Sequence, residues 1–146
     1  MNNIILIGMP ACGKSVTGVL LAKILNMKFI DADLLIQEKV GKRLQEIIDE
    51  DGIECFKEIE RNVLLSIDVD NTVIATGGSA VYYEDAMEHL KQKGKVIYID
   101  ISLETVKARL KNIKTRGVAM GKGQSLDDLY MIRKPLYEKY ADITVE

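Results

Sequence analysis

One segment of the chain, Gly8 to Ser15, has the residue types and spacing of a phosphate-binding loop, with the sequence GMPACGKS. Glycines stand near both ends of it, so the backbone can curl until successive N–H groups point into one concavity that suits an anion. An apolar run precedes the segment at 4–7 and a helix-like stretch follows at 16–25. This is the strand–loop–helix context that the pattern G-x-x-x-x-G-K-[ST] requires, so the sequence predicts a nucleotide phosphate site.

Two residues at the end of this loop have side chains suited to a nucleoside triphosphate. Lys14 would bring a positive charge to the β- and γ-phosphates, and the Ser15 hydroxyl would bind Mg²⁺. The helix that starts near Gly13 adds the positive end of its dipole beneath the same phosphates. A chance glycine turn is the alternative, but the flanking strand and helix favour a site for ATP and Mg²⁺.

The composition is that of one globular domain, residues 1–146, with 47% hydrophobic and 29% charged residues. The net charge of -2 provides no broad basic surface, so we expect neither a nucleic-acid partner nor an anionic membrane. No apolar stretch has the length of a membrane span, and the N terminus lacks the layout of a signal peptide. Two cysteines are too few for a disulfide framework. We therefore expect a cytoplasmic protein, and a monomer.

Apolar strand-like runs alternate with helix-period segments along the whole chain. We expect strands at 3–7, 28–30, 72–75, 95–99 and 143–145, and helices at 14–25, 33–40, 55–67, 80–93, 103–111 and 125–140. The strands lack polar alternation and are separated by helices, which predicts an α/β fold with a parallel sheet of about five strands covered on both faces. Ligands of such sheets bind at the carboxyl ends of the strands. We therefore expect four segments to converge: Gly8–Ser15, Asp31–Asp33, Thr76–Ser79 and Asp100.

The segment 111–124 departs from this alternation. It is rich in glycine and in cationic residues, and it contains no acidic residue. A plain solvated connector is one interpretation. Opposite a triphosphate, however, a cationic glycine-bearing loop is typical of a lid that closes on the transferring phosphate, and we predict a lid here.

Two carboxylates, Asp31 and Asp33, flank Ala32 at the end of the second predicted strand. Residues two apart in an extended stretch point to the same side, so both can face one cleft beside the phosphate loop. One would hold a water of the Mg²⁺ shell and the other would contact an acceptor hydroxyl. Alternatively, Asp33 caps the helix that follows, a role that is compatible with catalysis.

Glycines and cations elsewhere in the chain could form the acceptor side of the cleft. Gly77 and Gly78 close the third predicted strand, where the backbone can approach a ligand closely. Arg133 presents a planar fork that matches a carboxylate. Lys57 and Arg61 lie on one predicted helix, where they face either a ligand or solvent.

The order and spacing of these motifs resemble the shikimate kinase family, within the nucleoside-monophosphate-kinase-like group, over nearly the whole chain. After the phosphate loop come FIDAD at 29–33, DGIECFKEIE at 51–60, GGSAV at 77–81, Arg116 in the lid segment and RKPLY at 133–137. The second of these is close to the family pattern D-G-E-x-x-F-R-x-x-E. The resemblance implies a P-loop three-layer α/β sandwich and a kinase that phosphorylates a hydroxyl of shikimate, in aromatic amino-acid biosynthesis.

For the nucleotide, the resemblance implies the following roles. The ATP phosphates are wrapped by the loop residues Ala11, Cys12, Gly13, Lys14, Ser15 and Val16. Ser15 contacts Mg²⁺, with Asp31 in its outer shell. Arg109 lies near the adenine, and Arg116 closes on the phosphates.

For the acceptor, the resemblance implies that Asp33 contacts the shikimate hydroxyls and is the candidate base. Lys57 and Arg133 face the shikimate carboxylate, and the backbone of Gly77, Gly78 and Ser79 lies beside it. The catalytic group is then Lys14, Asp33 and Arg116.

The sequence departs from the family pattern at some of these positions. Lys57 replaces an arginine and cannot form a two-point fork with a carboxylate, and Ser79 replaces the third glycine of a G-G-G run. The chain also stops at its last predicted strand, where the family continues into another helix, which implies a more open adenine side. Two alternatives therefore stay open: a related kinase for another sugar acid, a polyol or a nucleoside monophosphate, and a nucleotide-binding module with little turnover.

Overall fold

A five-stranded parallel sheet forms the centre of the computed structural model, which describes residues 3–111 and 125–146. The strands are β1 (Asn3–Ile7), β2 (Lys28–Asp31), β3 (Thr72–Ala75), β4 (Gly94–Ile99) and β5 (Ile143–Val145). Their order across the sheet is β2-β3-β1-β4-β5, and every neighbouring pair is parallel. The predicted parallel sheet of about five strands is confirmed.

Within the described residues, seven helices and one short 3-10 helix connect the strands. They are α1 (Lys14–Leu25), α2 (Ala32–Val40), α3 (Leu44–Asp51), α4 (Ile53–Ser66), the 3-10 helix Ala80–Tyr82, α5 (Glu84–Lys91), α6 (Leu103–Lys111) and α7 (Leu126–Tyr140). Among the described residues, no helix combines the length and the apolar character that crossing a membrane requires. Arg116 and all but the first residue of the predicted lid lie outside the described residues.

The two faces of the sheet are covered by different helices. Successive residues of a strand point to opposite faces, and in β1 Ile5 and Ile7 pack with residues of α5 and α7, whereas Leu6 packs with Ala22 of α1. These residues of β1 are all fully buried. The chain therefore forms three layers, helix–sheet–helix, as the sequence predicted.

A second, smaller core lies among the helices between β2 and β3. Ile36 of α2, Leu44 and Ile47 of α3, and Phe56 and Val63 of α4 pack together there. This cluster fixes α4 relative to the edge of the sheet, so the side chains of α4 are held at a defined distance from the carboxyl end of β2.

Two features differ from the sequence prediction: α3 is not predicted, and the single helix predicted over 80–93 is divided into a 3-10 helix and α5. Only two residues of α3, Leu44 and Ile47, are buried, so its apolar signal is too short to separate from a charged loop. The second segment is interrupted at Tyr83, whose backbone is extended and whose hydroxyl donates to the buried carboxylate of Glu60 (2.7 Å). That contact is between distant parts of the chain, and local periodicity carries no trace of it.

Candidate active site

The phosphate-binding loop joins β1 to α1 at the carboxyl edge of the sheet. Gly8 has φ 152° and Gly13 has φ 95°, and even Ala11 has φ 64°. The left-handed backbone of Gly13 ends the loop and starts α1 directly at Lys14, with no side chain among the described residues capping the helix. The N–H groups of the first turn of α1 therefore point into the loop, which is the arrangement that suits an anion.

Lys14 is buried, with 5% of its surface exposed, and its ammonium group is held inside the loop. Nζ donates to the carbonyl oxygens of Gly8 (2.7 Å) and Met9 (2.9 Å), and it lies 3.6 Å from the Sγ atom of Cys12. The positive charge is thus anchored within the phosphate-binding motif, where the sequence predicts it. It also stabilises the curved loop, a second role that the sequence did not indicate.

Asp31 links the phosphate loop to α2. Ser15 Oγ donates to Asp31 Oδ2 (2.7 Å), and Asp31 Oδ1 accepts from the backbone N–H groups of Asp33 (2.9 Å) and Leu34 (3.3 Å). Asp31 is therefore the N-cap of α2, and the suggestion that Asp33 caps this helix is wrong. The cap fixes the carboxylate beside the Ser15 hydroxyl.

Gly77 and Gly78 form a floor between the two sides of the cleft. A Cβ atom at Gly77 would stand 2.8 Å from Asp33 Oδ1 and 2.6 Å from Glu60 Oε2. One at Gly78 would stand 2.9 Å from Arg133 Nη1 and 2.9 Å from the Cδ atom of Pro10, in the phosphate loop. Only glycine leaves room for these close approaches, and they bring Asp33, Arg133 and the loop to one place.

Arg133 lies on α7 and is 1% exposed. Its Nε donates to the hydroxyl of Tyr82 (3.1 Å), and the guanidinium carbon lies 5.2 Å from the centroid of the same ring. Lys57, on α4, approaches that ring too, with Nζ 5.5 Å from the centroid, and has Glu54 as an ion-pair partner at 4.0 Å. The two predicted carboxylate ligands therefore converge on one tyrosine, which sequence reasoning had not singled out.

A buried carboxyl group, Glu60, lies behind Gly77. It accepts hydrogen bonds from the hydroxyls of Ser79 and Tyr83, and it is 1% exposed. Burial raises its pKa from the ordinary 4.5 to about 7; the nearby Asp33 charge adds to this, and the two hydroxyls oppose it. Ser79, which departs from the family pattern, donates its hydroxyl to Glu60. In the sequence, Glu60 is only the last residue of the motif at 51–60, and nothing there indicates that it is buried.

Other predicted residues have structural partners. Arg109 Nη1 donates to the carbonyl of Ala11 (2.8 Å), so this arginine of α6 lies against the phosphate loop. Asp100 pairs with Lys134 (3.2 Å), and Arg61 pairs with Asp85. Arg61 therefore belongs to a surface ion pair. The segments that follow β1, β2, β3 and β4 leave the same edge of the parallel sheet, as predicted, and Asp100 pairs there with Lys134 of α7.

A groove of about 990 Å³ runs from the loop along α2 and α3, and its lining includes Ser15, Asp31, Asp33, Gln37, Lys42 and Arg43. No cluster of three or more His, Cys, Asp or Glu side chains within the described ranges is arranged to hold a metal ion. The fold and the site together define an ATP-dependent phosphotransferase of the P-loop class.

Comparison with known proteins narrows this class. The family model described as shikimate kinase matches residues 10–146. A shikimate kinase of Clostridium botulinum is 40% identical over 94% of this chain and 83% of its own, and one of Pseudomonas aeruginosa is 38% identical over 100% and 87%. A structure of the Acinetobacter baumannii shikimate kinase in complex with shikimate superposes with a TM-score of 0.89 at 34% identity, over 100% of this chain and 83% of that one. The chain belongs to the shikimate kinase family, which confirms the resemblance.

Proposed function

We propose that the protein transfers the γ-phosphoryl group of ATP to the 3-hydroxyl of shikimate, giving shikimate 3-phosphate and ADP. The observation that carries this proposal is the turn at Gly77 and Gly78. Its backbone lies against Asp33 on one side and against both Arg133 and Pro10 of the phosphate loop on the other. A small acid bound on this floor would have its carboxylate near a buried arginine and a hydroxyl between Asp33 and the phosphates.

In the proposed reaction, the acceptor oxygen forms a bond to the γ-phosphorus while the bond from that phosphorus to the oxygen shared with the β-phosphate breaks. The hydroxyl proton passes to Asp33, and ADP leaves with the electron pair of the broken bond. Lys14 and the N–H groups at the start of α1 stabilise the charge on the phosphate oxygens. Arg116, the third member of the proposed catalytic group, lies outside the described residues.

The nucleotide phosphates would be wrapped by the loop residues named above, Ala11 to Val16, with Arg109 on the nucleotide side because it contacts Ala11. The pair formed by the Ser15 hydroxyl and the Asp31 carboxylate fits Mg²⁺, which binds through one or two protein oxygens together with phosphates and water. When bound there, Mg²⁺ would neutralise charge on the transferred phosphate.

Acceptor roles are proposed for Asp33, Lys57, Gly77, Gly78, Ser79 and Arg133. The positions of Asp33 and Arg133 are consistent with shikimate, because Asp33 can contact a hydroxyl and the fork of Arg133 can pair with a carboxylate. Relatives whose names state shikimate kinase activity support the same choice. A module without turnover is disfavoured by the presence of Lys14, Ser15, Asp31, Asp33 and Arg133 in one cleft.

A coupled assay of ADP release with ATP and Mg²⁺ tests the proposal, with shikimate, gluconate, a polyol and a nucleoside monophosphate offered as acceptors. We expect ADP release to depend on shikimate alone, and to be lost in Asp33→Asn, where the amide cannot take a proton. Asp49→Asn, on the exposed end of α3, is the matched control and should behave as wild type. Turnover with another acceptor and not with shikimate would contradict the proposal.

We also propose that the enzyme is one domain over residues 1–146 and acts as a monomer in the cytoplasm. Its partner would be a small molecule, with no nucleic-acid or membrane partner. The net charge of -2 and the two free cysteines support it. Light scattering of the purified protein should give a mass near 16.3 kDa.

A further inference from the structure

Tyr82 lies where the two cations of the acceptor side meet. Its ring centroid is 5.5 Å from Lys57 Nζ and 5.2 Å from the guanidinium carbon of Arg133, and its hydroxyl accepts a hydrogen bond from Arg133 Nε (3.1 Å). Lys57 comes from α4 and Arg133 from α7. One aromatic side chain therefore contacts both charges, although they belong to helices far apart in sequence.

The position of this ring is set by the turn that forms the acceptor floor. Tyr82 is the last residue of the 3-10 helix Ala80–Tyr82, and its backbone N–H donates to the carbonyl of Ser79 (3.1 Å). That helix packs against both α4 and α7. Only Ser79 separates Gly77 and Gly78 from this helix, so the ring lies close along the chain to the floor.

We propose that Tyr82 is a positioning residue that holds Lys57 and Arg133 in the arrangement that binds the carboxylate of the acceptor. The inference rests on the proposed function, since it assigns the geometry of the same acceptor site. Tyr82 acts only through the two cations, whereas Asp33 and the phosphate loop would contact the reacting atoms directly.

Two physical effects give Tyr82 this role. The hydrogen bond from Nε fixes the plane of the Arg133 guanidinium, which determines the direction in which its two terminal nitrogens point. The face of the ring attracts both cations and so offsets part of their mutual repulsion when the site holds no acceptor. This matters most for Lys57, whose flexible stem lacks the preorganised fork of an arginine.

The inference is tested with Tyr82→Phe, which keeps the ring and removes the hydroxyl, and Tyr82→Leu, which removes both. Tyr130→Phe is the matched control, because Tyr130 also has a lysine near its ring, Lys134 at 5.8 Å, and is part of neither binding side. Each variant is measured for kcat, for the KM values of shikimate and of ATP, and for melting temperature.

We expect Tyr82→Phe to raise the KM for shikimate about fivefold, because it loses the hydrogen bond to the charged Arg133. Tyr82→Leu should raise this KM further, because it also loses the contacts of the ring with both cations. The kcat and the KM for ATP should stay within about twofold of wild type. Tyr130→Phe should leave all of these constants unchanged.

A double-mutant cycle separates positioning from mere packing. Arg133→Lys removes the Nε donor, so in that background Tyr82→Phe should lower kcat/KM for shikimate by less than it does in wild type. An additive cycle would overturn the inference, and so would an unchanged KM for shikimate in Tyr82→Phe or an equal rise in both KM values. Failure of the wild-type protein to phosphorylate shikimate would instead overturn the proposed function, and this inference with it.

Discussion

At the scale of single residues, Lys14 combines a structural role in the loop with the role in phosphate binding that we propose for it. Its ammonium group satisfies two carbonyls of the loop, at the place where we propose that the ATP phosphates bind. The helix dipole, the curled backbone and this charge all favour the same anion. A substitution here therefore affects both nucleotide binding and the stability of the loop.

Lys14→Ala should abolish turnover, because the charge that stabilises the transferring phosphate is lost. It should also lower the free energy of unfolding by about 1–3 kcal/mol, since two hydrogen bonds from a buried charged donor disappear. Kinetics and urea titration measure the two effects. Lys23→Ala, an exposed lysine of the same helix, is the control. Normal kinase rates in folded Lys14→Ala protein would contradict the assignment of the loop.

Lys57→Arg should strengthen shikimate binding several-fold, because an arginine can form a two-point contact with the acceptor carboxylate. Arg133→Lys should weaken binding much more, since it removes the buried fork; alanine at this position would leave a cavity as well. Calorimetric titration of shikimate in the presence of nucleotide measures both effects. ATP affinity should barely change. A loss of ATP binding in either variant would show that the residue lies on the nucleotide side of the cleft, contrary to its assignment to the acceptor side.

At the scale of elements, the turn between β3 and the 3-10 helix determines how closely the two sides of the cleft approach. Gly77→Ala would place a methyl group on the carboxylates of Asp33 and Glu60, at 2.8 and 2.6 Å. We expect kcat to fall at least tenfold, because a displacement of about 1 Å in a catalytic group is costly. Steady-state kinetics with ATP and shikimate measure the change.

Gly41→Ala is the control for this substitution. Gly41 has a positive φ of 78° but open space around its Cβ position. This variant should lose about 1 kcal/mol of stability from backbone strain and keep its kcat. Equal losses of kcat in both variants would show that the turn has no special role.

The elements that the sequence predicted well are those with strong local signals. The strands β1, β3 and β5 and the helices α1 and α6 have the predicted bounds, because short apolar-rich runs mark these strands and segments with helical periodicity mark these helices. The helix α3 and the interruption at Tyr83 could not be read in this way. They depend on packing against α4 and on the hydroxyl of Tyr83 meeting Glu60, which are contacts between distant residues.

At the scale of the whole molecule, the sheet brings a set of charges together that no single element contains. Asp33, Glu60 and Arg133 come from α2, α4 and α7, and their mutual influence appears in the pKa of Glu60. That pKa is raised in the folded protein, so folding favours the protonated form. The contribution of Glu60 to the stability of the folded protein is fully present below pH 4.5, and it is lost as the pH rises through about 7.

Glu60→Gln tests this pH dependence. The amide keeps an acceptor for the hydroxyls of Ser79 and Tyr83 but carries no charge. Relative to this variant, the wild-type protein should lose up to roughly 3 kcal/mol of unfolding free energy between pH 5 and pH 8, at about 1.4 kcal/mol for each pKa unit. Urea titrations across that range measure it, with the exposed Glu58→Gln as control. A difference that is constant with pH would show that Glu60 does not titrate as described.

The same scale explains which parts of the site could be predicted. The phosphate loop and the Asp31–Asp33 pair are local patterns next to strands, so residue spacing alone located them. Tyr82 and the partners of Glu60 emerge only when α4, α7 and the 3-10 helix meet, and no spacing rule encodes that meeting. The sequence predicts a place for Asp31 in the Mg²⁺ shell, whereas its role as the N-cap of α2 is visible only in the structure.

The central claim is that this cleft phosphorylates the 3-hydroxyl of shikimate, and ³¹P NMR of a reaction with ATP, Mg²⁺ and shikimate tests it most directly. We predict one new phosphomonoester resonance that is coupled to the proton on carbon 3, growing in step with ADP and absent with Lys14→Ala. A resonance coupled to another carbon, or ADP accumulating with free phosphate and no phosphomonoester, would contradict the account.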